Sequence, residues 1–248
     1  MVSVEEVNRD YGYWDGNLLK MADTTVGKMY LPQSEPDDVW HHWEQRTTWQ
    51  LGQWLKHDSH FMDIGANFGY FVLDAARIIK DGTICAVEPH PFVYAILRLN
   101  VELHELRNVK TCKAAITDGS TKLINFFYYD GANGFGRTYD PSAYNTNSWR
   151  RYIVRAYGLD HFADKPVDVV KIDIEGSECD VLMHASRFYD SHEGTIIIMD
   201  LHHPYITEQK GEAADMEFTE FLKTHFDILY IDVVDRGIGA STFCVLRI

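Results

Sequence analysis

Four acidic side chains fall where predicted β-strands of this chain end: Asp63, Glu88, Asp173 and Asp200, with His202 and His203 just beyond the last. In an open parallel sheet the ligand crevice lies outside the carboxyl ends of the strands. The four carboxylates and two imidazoles are therefore expected to crowd one edge of one sheet. Carboxylates are among the side chains least often fully buried without a partner. Ligands supply such partners.

The first acid comes with a turn. Phe61-Met62-Asp63-Ile64 runs into Gly65-Ala66-Asn67-Phe68-Gly69, and a helical pattern begins at Tyr70. Strand, glycine turn and helix form the nucleotide-cofactor entry of a doubly wound α/β domain. A dinucleotide site wants G-x-G-x-x-G and a helix N-terminus facing pyrophosphate, which a carboxylate ahead of the turn would repel. Asp63 instead suits the sulfonium and α-ammonium of S-adenosylmethionine. Gly65 and Gly69 are expected to let the backbone approach the ligand without a Cβ in the way. Thr83-Ile84-Cys85-Ala86-Val87 then ends in Glu88-Pro89, about twenty residues past the glycines, where an acid accepts both hydroxyls of a cofactor ribose. The backbone around Ala115-Ile116, with Asp118 nearby, should flank the adenine. The expected cofactor set is Asp63, Gly65, Ala66, Asn67, Gly69, Glu88, Pro89, Ala115, Ile116 and Asp173.

The elements that must position these groups follow from periodicity. Strands are expected at 61–65, 83–88, 109–113, 167–173, 194–201, 226–234 and 241–247, and helices at 69–80, 91–105, 177–188 and 212–225. Alternating β and α with near-continuous apolar strands means a mostly parallel, doubly wound sheet covered on both faces. The two closing strands have no helix between them and should pair antiparallel. Residues 1–58 read as a leader and a helix packing on the core. That helix starts at Ser34-Glu35-Pro36-Asp37, with Trp40, Trp43, Thr47, Leu51 and Trp54 on one face. Residues 59–248 read as the cofactor domain. Extra strands at 121–129 and 151–157 flank an irregular segment, 130–150, that mixes Gly and Asn with Phe135, Tyr139, Tyr144 and Trp149. Long irregular segments in compact domains are usually functional or disordered, and these aromatics speak for an acceptor wall.

Composition removes several classes. A formal net charge of −14 over 248 residues argues against nucleic acid, which needs a basic stripe. The four cysteines are far apart in sequence and read as reduced core thiols. The acidic N-terminus lacks the apolar stretch of a signal peptide, and no run is long enough to span a bilayer. The expectation is a cytoplasmic protein acting on a small molecule, with no nucleic-acid or membrane partner and room for a homo-oligomer.

Several segments together resemble the FkbM-type methyltransferases. They are Asp63-Ile64-Gly65-Ala66-Asn67-x-Gly69, Glu88-Pro89-x-Pro91, Asn100 before Val101-Glu102-Leu103, Lys171-Ile172-Asp173-Ile174-Glu175-Gly176-x-Glu178, and Asp200-Leu201-His202. The resemblance runs from about residue 60 to 235. It implies a class I S-adenosylmethionine-dependent fold and methylation of a hydroxyl on a sugar, polyketide, peptide or other small metabolite. The family often has Glu-x-His where this chain has Asp200-Leu201-His202.

Methyl transfer from a sulfonium to an alcohol needs an aligned acceptor, worth about 7–11 kcal/mol, and removal of a proton by a base or a metal. The expected catalytic set is Asp173, Glu175 and His202. His202 or Asp173 would be the base, with preference for His202, and Glu175 would orient the hydroxyl or the imidazole. The alternative places a divalent ion on Asp173 and Asp200. A nicotinamide oxidoreductase is disfavoured by the glycine spacing and by Asp63. A non-catalytic interaction protein would tolerate loss of Asp173, Glu175 or His202, yet all are present.

Overall fold

The computed structural model describes residues 3–11, 19–35, 45–129, 136–138, 149–235 and 240–248. In chain order the strands are β1 (Leu19–Thr24), β2 (Gly27–Pro32), β3 (Phe61–Ile64), β4 (Ile84–Val87), β5 (Val109–Cys112), β6 (Ala115–Thr117), β7 (Leu123–Tyr129), β8 (Gly136–Arg137), β9 (Trp149–Gly158), β10 (Val169–Ile172), β11 (Ile196–Leu201), β12 (Asp227–Asp235) and β13 (Ala240–Arg247). The helices are α1 (Val4–Tyr11), α2 (Gln45–Trp54), α3 (Tyr70–Ile78), α4 (Pro91–Leu103), α5 (Glu178–Leu182), α6 (Ser186–Ser191), α7 (His203–Lys210) and α8 (Glu212–His225).

The central sheet has seven strands in the order β12-β13-β11-β10-β3-β4-β5. Strands β5, β4, β3, β10 and β11 are parallel, and β13 inserts antiparallel between β11 and β12. This is the doubly wound, mostly parallel sheet expected from the alternating pattern, with the closing strands antiparallel. Successive strand residues feed opposite faces. Phe61, Ile84, Val169 and Ile198 join one apolar cluster with Val72, Leu73, Ile96 and Leu97. Met62, Val170, Ile172 and Ile197 join the other with Phe188 and Phe218. Burial on both faces is why these strands read as continuous apolar runs.

Some expected elements changed. The helix expected over 177–188 is two short helices, because Tyr189 Oη donates to the carbonyl of Leu182 at 2.5 Å, and the Phe188 N–H donates to Asp160 Oδ1 at 2.9 Å. These bonds start α6 on a new axis. Helix α7 was not expected. It has Pro204 in its first turn and closes at Gly211, φ 90°, both of which are readable end signals. In the helix expected from residue 34, residues 36–44, with Trp40 and Trp43, lie outside the described residues. Its continuation α2 buries Thr47 and Leu51, with Trp54 packed on the same cluster.

Between β5 and β10 the chain builds a second sheet, ordered β6-β9-β7-β8. The two strands expected at 121–129 and 151–157 are β7 and β9, antiparallel with Asn125 opposite Ile153. Strands β6 and β8 were not expected. Of the segment 130–150, Gly136–Arg137 forms β8 against Phe127–Tyr128 and Trp149 begins β9, while 130–135 and 139–148 lie outside the described residues. Among the described residues no helix is long and apolar enough to cross a membrane.

One buried amide bridges the β1–β2 hairpin and the glycine turn. Asn100 on α4 is fully buried. Its Oδ1 accepts from the Tyr30 N–H at 2.6 Å, and its Nδ2 donates to the carbonyls of Tyr30 at 3.1 Å and Phe68 at 2.8 Å. The Phe68 contact fixes the glycine turn from behind. Asn100→Ala should therefore lower stability by about 1–3 kcal/mol, the cost of stranding buried backbone groups. Asn100→Asp should not rescue it, because the donors are lost. The midpoint of chemical denaturation reads both, and an unchanged midpoint in Asn100→Ala would refute the tether.

Candidate active site

The turn after β3 is held by its neighbours. The N–H groups of Gly65 and Ala66 both donate to the Val87 carbonyl at 3.0 Å, and Gly69 N–H donates to Ala66 O at 2.9 Å. Gly65, Asn67 and Gly69 all have left-handed φ, at 79°, 49° and 93°. A Cβ on Gly65 would stand 2.0 Å from the carbonyl oxygen of Asp173, and one on Gly69 would stand 2.7 Å from Leu97 Cδ1. The expected reason for these glycines is thus corrected. The left-handed backbone at both positions, and the Asp173 carbonyl at Gly65, already disfavour side chains before any ligand approaches.

Glu88 at the end of β4 is buried. Its Oε2 accepts from Asn67 N–H at 3.0 Å and its Oε1 from His90 N–H at 2.8 Å. Burial pushes its carboxyl up to about 7 against the pull of those amides and of Lys171. Each oxygen keeps a second lone pair. Pro89 is half-buried next to it. Ala115 and Ile116 are buried in β6, paired with Ala156 and Tyr157 of β9. The inner face of the inserted sheet reaches this end through aromatic rings. The His90 ring meets Tyr128 edge-on at 4.3 Å, and Tyr128 stacks on Tyr152 at 5.4 Å.

Asp63 occupies a different place from the one expected. It is 0 % exposed, behind the turn, and its ion partner is Lys171, whose Nζ lies 3.4 Å from Oδ1. Desolvation raises its carboxyl, with Lys171 opposing. Lys171 Nζ also donates to the Gly65 carbonyl at 3.0 Å and stands 3.6 Å from Asp173 Oδ2. A lysine inside Val169-Val170-Lys171-Ile172, a strand buried throughout, was the sequence signal for this contact.

The loop after β10 forms the other half of the site. Glu178 Oε1 accepts from the N–H groups of Ile174 at 3.4 Å and Gly176 at 3.3 Å, and pairs with His202 Nδ1 at 2.9 Å. Those bonds support Glu175 at φ 56°, a conformation that costs a non-glycine residue about 1–3 kcal/mol. His202 Nε2 points between Asp173 Oδ1 and Glu175 Oε2, 3.8 Å from each. Glu175 Oε2 is buried and makes no hydrogen bond. Burial alone would lower the His202 pKa, but Glu178, then Glu175 and Asp173, outweigh it and raise it to about 10. The three carboxylates thus favour the protonated ring, whereas the expected role of His202 as base needs the neutral one. Burial, opposed by His202 and reinforced by Asp173 and Glu178, pushes Glu175 up to about 7.

Asp173, Glu175 and His202 are thus brought together, with one ligand atom of each inside a 4.8 Å span that a divalent ion would fit. Asp200 is not in that group. It sits in β11 opposite Phe243, so the alternative of a divalent ion on Asp173 and Asp200 does not have its two ligands in one cluster among the described residues. Arg137 and Thr138 were missed as site residues. Arg137, buried at the end of β8, lies 4.1 Å over the Tyr205 ring and 3.5 Å from Glu208. Thr138 Oγ1 is 2.5 Å from Ser177 Oγ. Tyr205 in turn stacks on His202, ring centres 5.6 Å apart. Nothing in the spacing of β8 marked these contacts.

The profile described as "Methyltransferase FkbM domain" matches residues 63–230. A protein of Beauveria bassiana (strain ARSEF 2860), "Methyltransferase 1", is 29% identical over 143 residues, covering 50% of this chain and 57% of that protein. The chain thus spans little more than half the length of that curated relative. Among solved structures, M. jannaschii TYW2 in complex with AdoMet superposes with a TM-score of 0.54 at 14% identity, covering 92% of this chain and 84% of that one. A putative rRNA-methylase from Clostridium thermocellum gives 0.51 at 12% identity, covering 82% of this chain and 94% of that one. At such identities the likeness concerns the fold. The chain belongs to the FkbM methyltransferase family, and S-adenosylmethionine is the cofactor of its class I fold.

Proposed function

We propose that the protein transfers the methyl group of S-adenosylmethionine to a hydroxyl of a small metabolite such as a sugar, polyketide or peptide. One observation carries this reading: the buried Glu175 Oε2, without a hydrogen bond, stands 3.8 Å from His202 Nε2, which lies 3.8 Å from Asp173 Oδ1 as well. These groups stand beside the glycine turn, since Asp173 N–H donates to Ile64 O at 3.1 Å. When bound, the cofactor supplies an electrophilic methyl group on a sulfonium. Glu88 receives the two ribose hydroxyls on its remaining lone pairs, and the turn from Gly65 to Gly69 lies along the ligand. Glu175 Oε2 takes the proton of the acceptor hydroxyl, while Asp173 and the His202 imidazolium hold its oxygen in place. Arg137 and Thr138 form part of the acceptor wall. The net charge of −14 favours a small acceptor over nucleic acid or an anionic membrane surface. A cytoplasmic setting, with self-association left open, completes this reading. A second reading uses the convergence of Asp173, Glu175 and His202 to hold a divalent ion that acidifies the hydroxyl.

Three outcomes follow. Cofactor affinity measured by calorimetry should be full above pH 7 and weaken as pH falls through about 7, because a protonated Glu88 cannot accept from both hydroxyls. Glu88→Gln should be weak and insensitive to pH, and NAD should not bind. A pH-independent wild type would remove Glu88 from the cofactor site. In a screen of hydroxylated metabolites for S-adenosylhomocysteine release, Glu175→Gln should lower kcat by ~10²–10⁴ with cofactor affinity intact. EDTA should leave the wild type unchanged, whereas EDTA loss reversed by a divalent ion would select the metal reading. Arg137→Ala should raise the acceptor KM and leave cofactor binding alone, and an unchanged KM would take Arg137 out of the acceptor wall.

A further inference from the structure

Lys171 makes more contacts than its own burial requires. It is 5 % exposed within a strand covered on both faces, and a buried ammonium costs several kcal/mol unless it is paired. Asp63 supplies that pair. It is the direct cross-strand neighbour of Lys171 in the β3–β10 register, fully buried, 3.4 Å away. The Gly65 carbonyl adds a hydrogen bond at 3.0 Å, and the Phe71 ring lies 5.1 Å from Nζ. Charge balance is complete without Asp173, yet Asp173 Oδ2 also stands 3.6 Å from Nζ.

The second oxygen of Asp173 faces the His202 ring. Oδ1 lies 3.8 Å from His202 Nε2, and His202 Nδ1 is 2.9 Å from Glu178. Asp63, Lys171, Asp173, His202 and Glu178 thus form a chain of acidic and basic side chains, with Glu175 branching from His202. The series starts on β3 under the cofactor turn and ends on α5 under the acceptor gap. At 3.8 Å Asp173 and His202 fall short of a hydrogen bond, and Lys171 Nζ stands beside the other oxygen of the same carboxylate.

We propose that Lys171 is a positioning residue: by holding Asp173 away from His202 it keeps open the gap that receives the acceptor oxygen, and it locks that gap to the cofactor turn through Gly65. The inference rests on the methyl-transfer reading for the purpose of the gap, but not for its existence.

Lys171→Met alone leaves Asp63 buried and uncompensated, so the informative variant is Asp63→Asn with Lys171→Met, which removes the pair together. Calorimetry with S-adenosylhomocysteine as the probe establishes that the double variant keeps a folded cofactor turn. Imidazole ¹H–¹⁵N spectra, with His202 assigned through His202→Gln, then report on Asp173 with no acceptor present. Asp173 should close on His202 in the double variant and shift its ring signals. With an acceptor from the screen, kcat should fall about 10²-fold, the scale of an ångström-level misplacement, while the acceptor KM changes little. His202 signals that match the wild type would overturn the proposal, because Lys171 would then serve only to neutralise Asp63. A wild type that methylates no hydroxyl sinks the methyl-transfer reading and leaves the spectra to decide on Lys171.

Discussion

A lysine charge in the middle of a covered parallel sheet constrains everything around it. Lys171 can stay ionised there only if carboxylates meet it, and the β3–β10 register places Asp63 directly opposite. Slipping that pairing by one residue would turn Lys171 to the other face, among Met62, Val170 and Ile172, with no acid to receive it. The ion pair thus specifies register more than it adds stability. It also fixes the ends of the two strands that flank the crevice, and so the distance between the cofactor turn and the loop after β10.

That loop stores strain and spends it on direction. Glu175 sits in the left-handed region because Glu178, beneath it, gathers the amides of Ile174 and Gly176. The same Glu178 oxygen holds His202. One fully buried carboxylate therefore orients a backbone turn and an imidazolium together, leaving Glu175 Oε2 without a bond. An acid left in that state inside a crevice is a natural proton acceptor.

The inserted sheet closes the crevice from two sides. Its inner aromatic face, through Tyr128 and Tyr152, packs on His90 beside Glu88. Its β8 edge carries Arg137 to Tyr205 and Thr138 to Ser177. The insertion touches both the Glu88 end and the Tyr205–Ser177 end of the crevice edge.

The sequence by itself determined the class of fold, since period-two apolar runs alternating with helical periods allow little besides a covered parallel sheet. It also pointed to S-adenosylmethionine as the cofactor, because strand, D-x-G-x-x-x-G turn and a second acid form a local pattern that needs no tertiary information. The grouping of Asp173, Glu175 and His202 was legible too, since each lies at a strand end and strand ends meet at one edge. Tertiary structure alone decided what those groups do. Whether Asp63 meets a ligand or Lys171 depends on a cross-strand register, and the charge of His202 depends on three carboxylates that converge only when β10, β11 and α5 pack. The roles of Gly65 and Gly69 turned on neighbours more than twenty residues away. Arg137 reached the site through a two-residue strand with no periodicity of its own. Charge state and contact are pairwise, long-range quantities, and a linear pattern carries only the local half of each pair.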